Sequence, residues 1–191
     1  MLRGYYAILG GSFDPIHLGH LHIAHQILQR TGVEKLILMP NGIHHFKKGK
    51  VVLGFQQRFQ MVQDAIAGEP KIEAWNHDEE GSGFTDDLLK KLYALYPERN
   101  FCFVIGSDNL SKLPKWHHYS WLTENCHFLL INRPGFKMPA EILSQIKHTV
   151  LETQLIDVSS TMVRNRVRSG MDIADLVPAK LVNTIYLNYS K

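Results

Sequence analysis

The chain has 191 residues, a hydrophobic share of 45%, 21 Lys and Arg against 18 Asp and Glu, and a formal net charge of +3. That length suits one domain with a full core and is short for two, and the hydrophobic share is that of a soluble globular protein. So small a charge excess points to neither a nucleic-acid surface nor a membrane-binding face, while its basic tilt suits an anionic small molecule. There is no charged-then-apolar leader and no apolar run of about eighteen residues, so a cytoplasmic protein is expected. Cys102 and Cys126 lie in apolar runs without C-x-x-C spacing, which predicts free structural thiols rather than a disulfide or a metal site.

The run Tyr5 to Leu9 reads as a buried strand, and Leu21, Ala24 and Leu28 recur at helical spacing in a helix from Gly19 to Arg30. Between them stands Gly10-Gly11-Ser12-Phe13-Asp14-Pro15-Ile16-His17-Leu18-Gly19-His20. A loop there, opening a helix, offers free backbone N–H groups and the positive end of the helix dipole to a phosphate. His17 and His20, three residues apart, put both imidazoles on one side of the first turn, where each can donate to a phosphate oxygen. Asp14 shapes the Asp-Pro turn, and His22 and His25 read as surface or core residues. Neither G-x-G-x-x-G nor G-x-x-x-x-G-K-[ST] occurs in this segment.

Apolar runs and amphipathic stretches go on alternating: strand Lys35 to Met39, helix Phe55 to Ala67, strand Lys71 to Ala74, helix Asp86 to Leu95, strand Phe101 to Ile105, a short helix, strand His127 to Ile131, helix Ala140 to His148. Two further helices follow, around Thr161 to Val167 and Pro178 to Tyr189. The strands lack polar alternation, as expected when both faces are covered. This predicts a Rossmann-like α/β fold in one domain spanning residues 1–191: a doubly wound parallel sheet, helices on both faces, and a helical C-terminal region. Ligands of such sheets bind beyond the C-terminal strand ends, at the switch in strand order. In the last third, Ser159, Ser160 and Thr161 open a helix whose free N–H groups Ser159 or Ser160 can cap, and Arg164, one turn in, can reach an anion held there.

The Gly-Gly-Ser-Phe-Asp-Pro-x-His-x-Gly-His segment resembles the signature of the nucleotidyltransferase superfamily, in the form carried by small adenylyltransferases. Val158-Ser159-Ser160-Thr161-Met162-Val163-Arg164 resembles its second signature, and the Arg-Thr-x-Gly-Ile-Ser-Thr-Thr form of cytidylyltransferases is absent. Over nearly the whole chain the similarity is to bacterial nicotinate mononucleotide adenylyltransferases. Met39 to Lys47 stands in the place of that family's Met-Pro-Asn-x-x-Pro-Pro-His-Lys loop, with His44, His45 and Phe46 replacing the two prolines and the histidine. Gly81 to Thr85 resembles its Gly-x-Ser-Tyr-Thr turn, and Gly106, Asp108, Leu113 and Trp116 match its Gly-x-Asp and Leu-x-x-Trp elements.

The resemblance implies an enzyme of NAD biosynthesis that transfers the adenylyl group of ATP to nicotinate mononucleotide, giving deamido-NAD and pyrophosphate. His17, His20, Lys47 and Arg164 would be catalytic. Gly10, Gly11, Ser12, Phe13, Gly106, Asp108, Ser159, Ser160 and Thr161 would bind ATP together with His17, His20 and Arg164. Lys47, Thr85, Trp116 and Arg133 would bind the acceptor, with Trp116 stacked on the pyridinium ring. Phosphate nucleophiles are already ionised at neutral pH, so alignment and charge stabilisation suffice. No protein-held metal site is expected, the Mg²⁺ arriving with the triphosphate. Other acceptors (nicotinamide mononucleotide, phosphopantetheine) and a non-catalytic nucleotide sensor are the alternatives; turnover with each acceptor separates them. Assembly into homo-oligomers stays open, and His117, His118 and Tyr119 remain unassigned.

Overall fold

The computed structural model describes residues 1–42, 51–154 and 156–190. Strands β1 (Tyr5–Gly11), β2 (Lys35–Pro40), β3 (Ile72–Ala74), β4 (Asn100–Gly106), β5 (His127–Ile131) and β6 (Lys147–Leu151) form one sheet, ordered β3-β2-β1-β4-β5-β6. Every pairing is parallel. The order reverses between β1 and β4, so the crevice expected of a doubly wound sheet opens beyond Gly11 and Gly106.

Side-chain alternation along the strands explains why they read as continuous apolar runs. Ala7, Leu36, Leu38, Cys102, Val104 and Leu129 face one layer, with Ala24 and Ile27 of α1 (Leu18–Thr31), Met61 and Val62 of α2 (Phe55–Ala65), Val163 of α7 (Ser160–Arg168) and Ile185 of α8 (Val182–Tyr189). Ile8, Ile37, Phe101, Phe103, Phe128 and Leu130 face the other, with Leu88, Leu89 and Leu92 of α3 (Thr85–Leu95), Leu110 of α4 (Ser107–Leu110) and Leu122 of α5 (Tyr119–Asn125). Period two with both faces covered keeps the middle of the interior strands apolar, and their polar residues Lys35, Asn100 and His127 stand at the strand starts. Cys102 and Cys126 are buried free thiols, and burial pushes the Cys102 thiol up to about 12, so both are inert.

Several boundaries differ from the sequence reading, α2 ending at Ala65 rather than Ala67 among them, and three differences matter most. The glycine pair belongs to β1 rather than to a loop, because Gly10 and Gly11 pair with Met39 and Pro40. The helix expected from Ala140 to His148 stops at Leu143 as α6 (Ala140–Leu143), and Lys147–Leu151 forms edge strand β6 instead. The β-branched pair Thr149-Val150 favours an extended chain, and the free edge of β5 supplies the partner for it. The last helix begins at Val182, after a 3-10 turn over Ala179–Leu181. No helix among the described residues is long and apolar enough to cross a membrane.

Candidate active site

The turn after β1 holds its shape through buried polar groups. Asp14, almost wholly buried, accepts hydrogen bonds from Val52 N at 2.7 Å, Leu53 N at 3.2 Å and Tyr189 Oη at 2.7 Å. The equally buried Arg58 donates to three carbonyls, Leu53 O at 3.1 Å, Ser12 O at 2.6 Å and Asn41 O at 2.8 Å. A buried guanidinium is tolerable only when its donors are so used. The turn, the end of β2 and the start of α2 are thus bound into one rigid unit. Sequence reading missed Arg58 and Tyr189, since an arginine in an amphipathic helix and a tyrosine near a C-terminus carry no local signal.

His17 caps the start of α1 in extended conformation, and its backbone N–H donates to His20 Nδ1 at 3.3 Å. The two rings stack with centroids 3.7 Å apart, and Phe13 meets the His20 ring edge-on at 4.9 Å. Gly19 makes room for this arrangement: a Cβ there would stand 3.0 Å from His17 Cε1 and Nδ1. Burial pushes the His17 imidazole down to about 4, so it is neutral at physiological pH and presents one N–H and one lone pair. The Phe13 ring is buried with φ 46°, so that residue can address a ligand only through its backbone. His22 and His25 lie outside the cleft, on Gln154 O at 2.7 Å and Glu69 Oε1 at 3.2 Å.

The second signature meets the first across this turn. Ser159 caps α7, accepting from Met162 N at 3.2 Å. Ser160 Oγ donates to Pro15 O at 2.9 Å. Arg164 donates from Nη1 to Asp14 O at 2.5 Å and from Nη2 to Thr161 Oγ1 at 3.3 Å. Between them lies a cleft of about 390 Å³ lined by Ser12, His17, His20, Ser159, Ser160, Thr161, Arg164 and Arg133. A larger, open depression of about 600 Å³ sits among Tyr5, Asn100, His127 and Lys147 at the strand starts, opposite the end where α/β sheets bind their ligands.

Arg133, expected among the acceptor residues, lines this cleft, its Nε 3.2 Å from Asp108 Oδ1 and its backbone N–H on Ser107 Oγ at 2.9 Å. A Cβ on Gly106 would come within 2.2 Å of Asp108 Oδ1 and 2.7 Å of Arg133 Nε, so glycine is what lets that pair meet. The ion pair lacks hydrogen-bond geometry. Among the described residues, the buried side-chain atoms without a hydrogen bond are Ser12 Oγ, His17 Nδ1 and Asp108 Oδ1. All three belong to residues picked out from the sequence or pinned beside them. Unsatisfied buried polar atoms are rare, and two of these three, on Ser12 and His17, belong to residues that line the cleft.

Thr85 is the first residue of α3, not its cap, a position held by Phe84. The Phe84 ring stacks on His117 at 4.3 Å, which brings the segment after Trp116 to the start of α3. Trp116 is half-buried, as are Trp75 and Trp121, so exposure alone does not single it out. Asp86, Asp87, His117 and His118 offer ligand atoms within 4.8 Å of one another, but Lys90 Nζ already stands 2.8 Å from Asp86 Oδ2. Lys47, with His44, His45 and Phe46, lies outside the described residues.

A profile of the family described as cytidylyltransferase-like matches residues 8–166, and the chain belongs to that family. Its curated relatives are named more narrowly. A Clostridium tetani protein named "Probable nicotinate-nucleotide adenylyltransferase" is 35% identical over 94% of each chain, and a Saccharopolyspora erythraea protein of the same name is 36% identical over 93% of this chain and 85% of its own. The structure of Plasmodium falciparum nicotinic acid mononucleotide adenylyltransferase complexed with NaAD superposes with a TM-score of 0.80, covering 98% of each chain at 22% identity. At that identity the likeness bears on fold alone.

Proposed function

We propose that this protein transfers the adenylyl group of MgATP to nicotinate mononucleotide, releasing pyrophosphate and forming deamido-NAD in the biosynthesis of NAD. The observation that carries the reading is the junction of the two signatures: His17, His20 and the start of α7 line one cleft in a chain 35% identical to proteins named for this activity.

An oxygen of the acceptor phosphate attacks the α-phosphorus of ATP, the bond from that phosphorus to the bridging oxygen breaks, and pyrophosphate leaves with the electron pair. The nucleophile is ionised already, so the protein's task is alignment and stabilisation of charge on the phosphates. The buried, neutral His17 donates an N–H without bringing a counter-charge into the cleft, and His20, stacked on it, donates beside it. The α7 N-terminus and Arg164 hold the leaving pyrophosphate. Gly10 and Gly11 keep the end of β1 thin where the nucleotide passes, and Asp108 holds the adenosine with Arg133 beside it. Thr85 and Trp116 bind the nicotinate, and Lys47 orients the acceptor phosphate.

Asp14 is the acidic residue lining the cleft among those described, and its carboxylate is committed to Val52, Leu53 and Tyr189. The described residues therefore offer no uncommitted carboxylate to a metal there, and Mg²⁺ enters as part of the substrate. The protein incubated with MgATP and nicotinate mononucleotide yields deamido-NAD and pyrophosphate in equal amounts, read by mass spectrometry and coupled phosphate release. Absence of deamido-NAD would refute the assignment.

A further inference from the structure

The side chain of Asp86 has no exposed surface, yet its neighbours are open to solvent. Its Oδ1 lies 2.9 Å from His117 Nδ1, and its Oδ2 lies 2.8 Å from both His118 Nδ1 and Lys90 Nζ. Burial opposes ionisation of this carboxyl, but hydrogen bonds from Lys90, His117 and His118 outweigh it and hold the group well below the usual carboxylate range. An ionised carboxylate only accepts, so both imidazoles carry their proton on Nδ1. Asp86 and Lys90 belong to one helix, α3, whereas His117 and His118 sit on the segment from Trp116 to α5. The contact therefore joins two separate pieces of chain rather than stabilising one. His118 has φ 46°, a left-handed conformation that costs a non-glycine residue energy and persists where surrounding contacts hold it.

We propose that Asp86 is a positioning residue for the acceptor pocket: by binding both His117 and His118 it holds the Trp116 segment against the start of α3, where Thr85 precedes Asp86 directly. The Phe84–His117 stack closes the same junction from the other side of Thr85. This rests on the reading that Thr85 and Trp116 bind nicotinate mononucleotide. Without the clasp the two halves of that pocket would no longer share one geometry, while the ATP cleft, built from β1, α1 and α7, stays intact.

The test is steady-state kinetics of Asp86→Asn, His118→Ala and the double variant, each checked for folding by thermal unfolding. Asparagine keeps the shape but offers one carbonyl oxygen, so Asp86→Asn raises KM for nicotinate mononucleotide about tenfold, with kcat and KM for ATP changed less than about twofold. His118→Ala, at a more exposed position, gives a smaller rise of the same kind, and the double variant is no worse than Asp86→Asn because the two act through one contact. An acceptor KM unchanged in folded variants, or parallel loss in kcat and both KM values, overturns the proposal. Trp116→Ala separates the two layers. If it raises the acceptor KM and Asp86→Asn does not, the clasp alone fails; if it leaves that KM unchanged, the pocket reading falls and the clasp with it.

Discussion

Tyr189 Oη donates a 2.7 Å hydrogen bond to Asp14 Oδ1, tying the last turn of the C-terminal helix to the turn after β1. Burial, then the carboxylate beside it, holds the Tyr189 phenol well above its ordinary range, so it is a donor at every working pH. Tyr189→Phe deprives a buried carboxylate of one donor and lowers stability by about 1–3 kcal/mol. Urea unfolding checks this, and an unchanged midpoint would contradict it.

Acid should destabilise the fold through His17. Its imidazole titrates at about 4 in the native state against 6.5 for an ordinary histidine. Between those values the unfolded chain binds the extra proton. The contribution is complete above 6.5 and is lost as pH falls towards 4, amounting to about 2 kcal/mol at pH 5. Urea titrations at pH 7 and pH 5 should show a smaller loss for His17→Asn than for the parent, and equal losses would count against a buried neutral imidazole.

His20→Ala removes a donor from the cleft, together with one ring contact to Phe13 and one to His17. We expect kcat to drop by about two to three orders of magnitude, as when an aligned donor to a developing charge is deleted, with the thermal midpoint little changed. Turnover near that of the parent would remove His20 from the mechanism.

Trp116→Ala should act on binding instead. Loss of a stacking face for a pyridinium cation is worth about 1–2 kcal/mol, a rise of about tenfold in KM for nicotinate mononucleotide with kcat largely kept. A fall in kcat at constant KM would assign Trp116 a different task.

Much of this was legible in the residues. The buried strands announced themselves because period-two packing on two covered faces leaves unbroken apolar runs, and most residues lining the cleft lay in two short segments whose spacing survives without any structure. What escaped were relations across the chain. Asp86 reads as one of two acids opening a helix, and nothing local says that its carboxylate meets His117 and His118. Arg58 reads as a surface residue of α2, although it is 2% exposed on three carbonyls. Strand β6 was hidden by its mixed exposure, its identity set by the edge of β5 rather than by its own pattern.

The most direct test of the central claim is acceptor choice: kcat/KM of the purified protein with MgATP and, in turn, nicotinate mononucleotide, nicotinamide mononucleotide and phosphopantetheine, scored by pyrophosphate release. The account predicts a clear preference for nicotinate mononucleotide, of about tenfold or more. Faster turnover with either other acceptor, or no release with any, would contradict it.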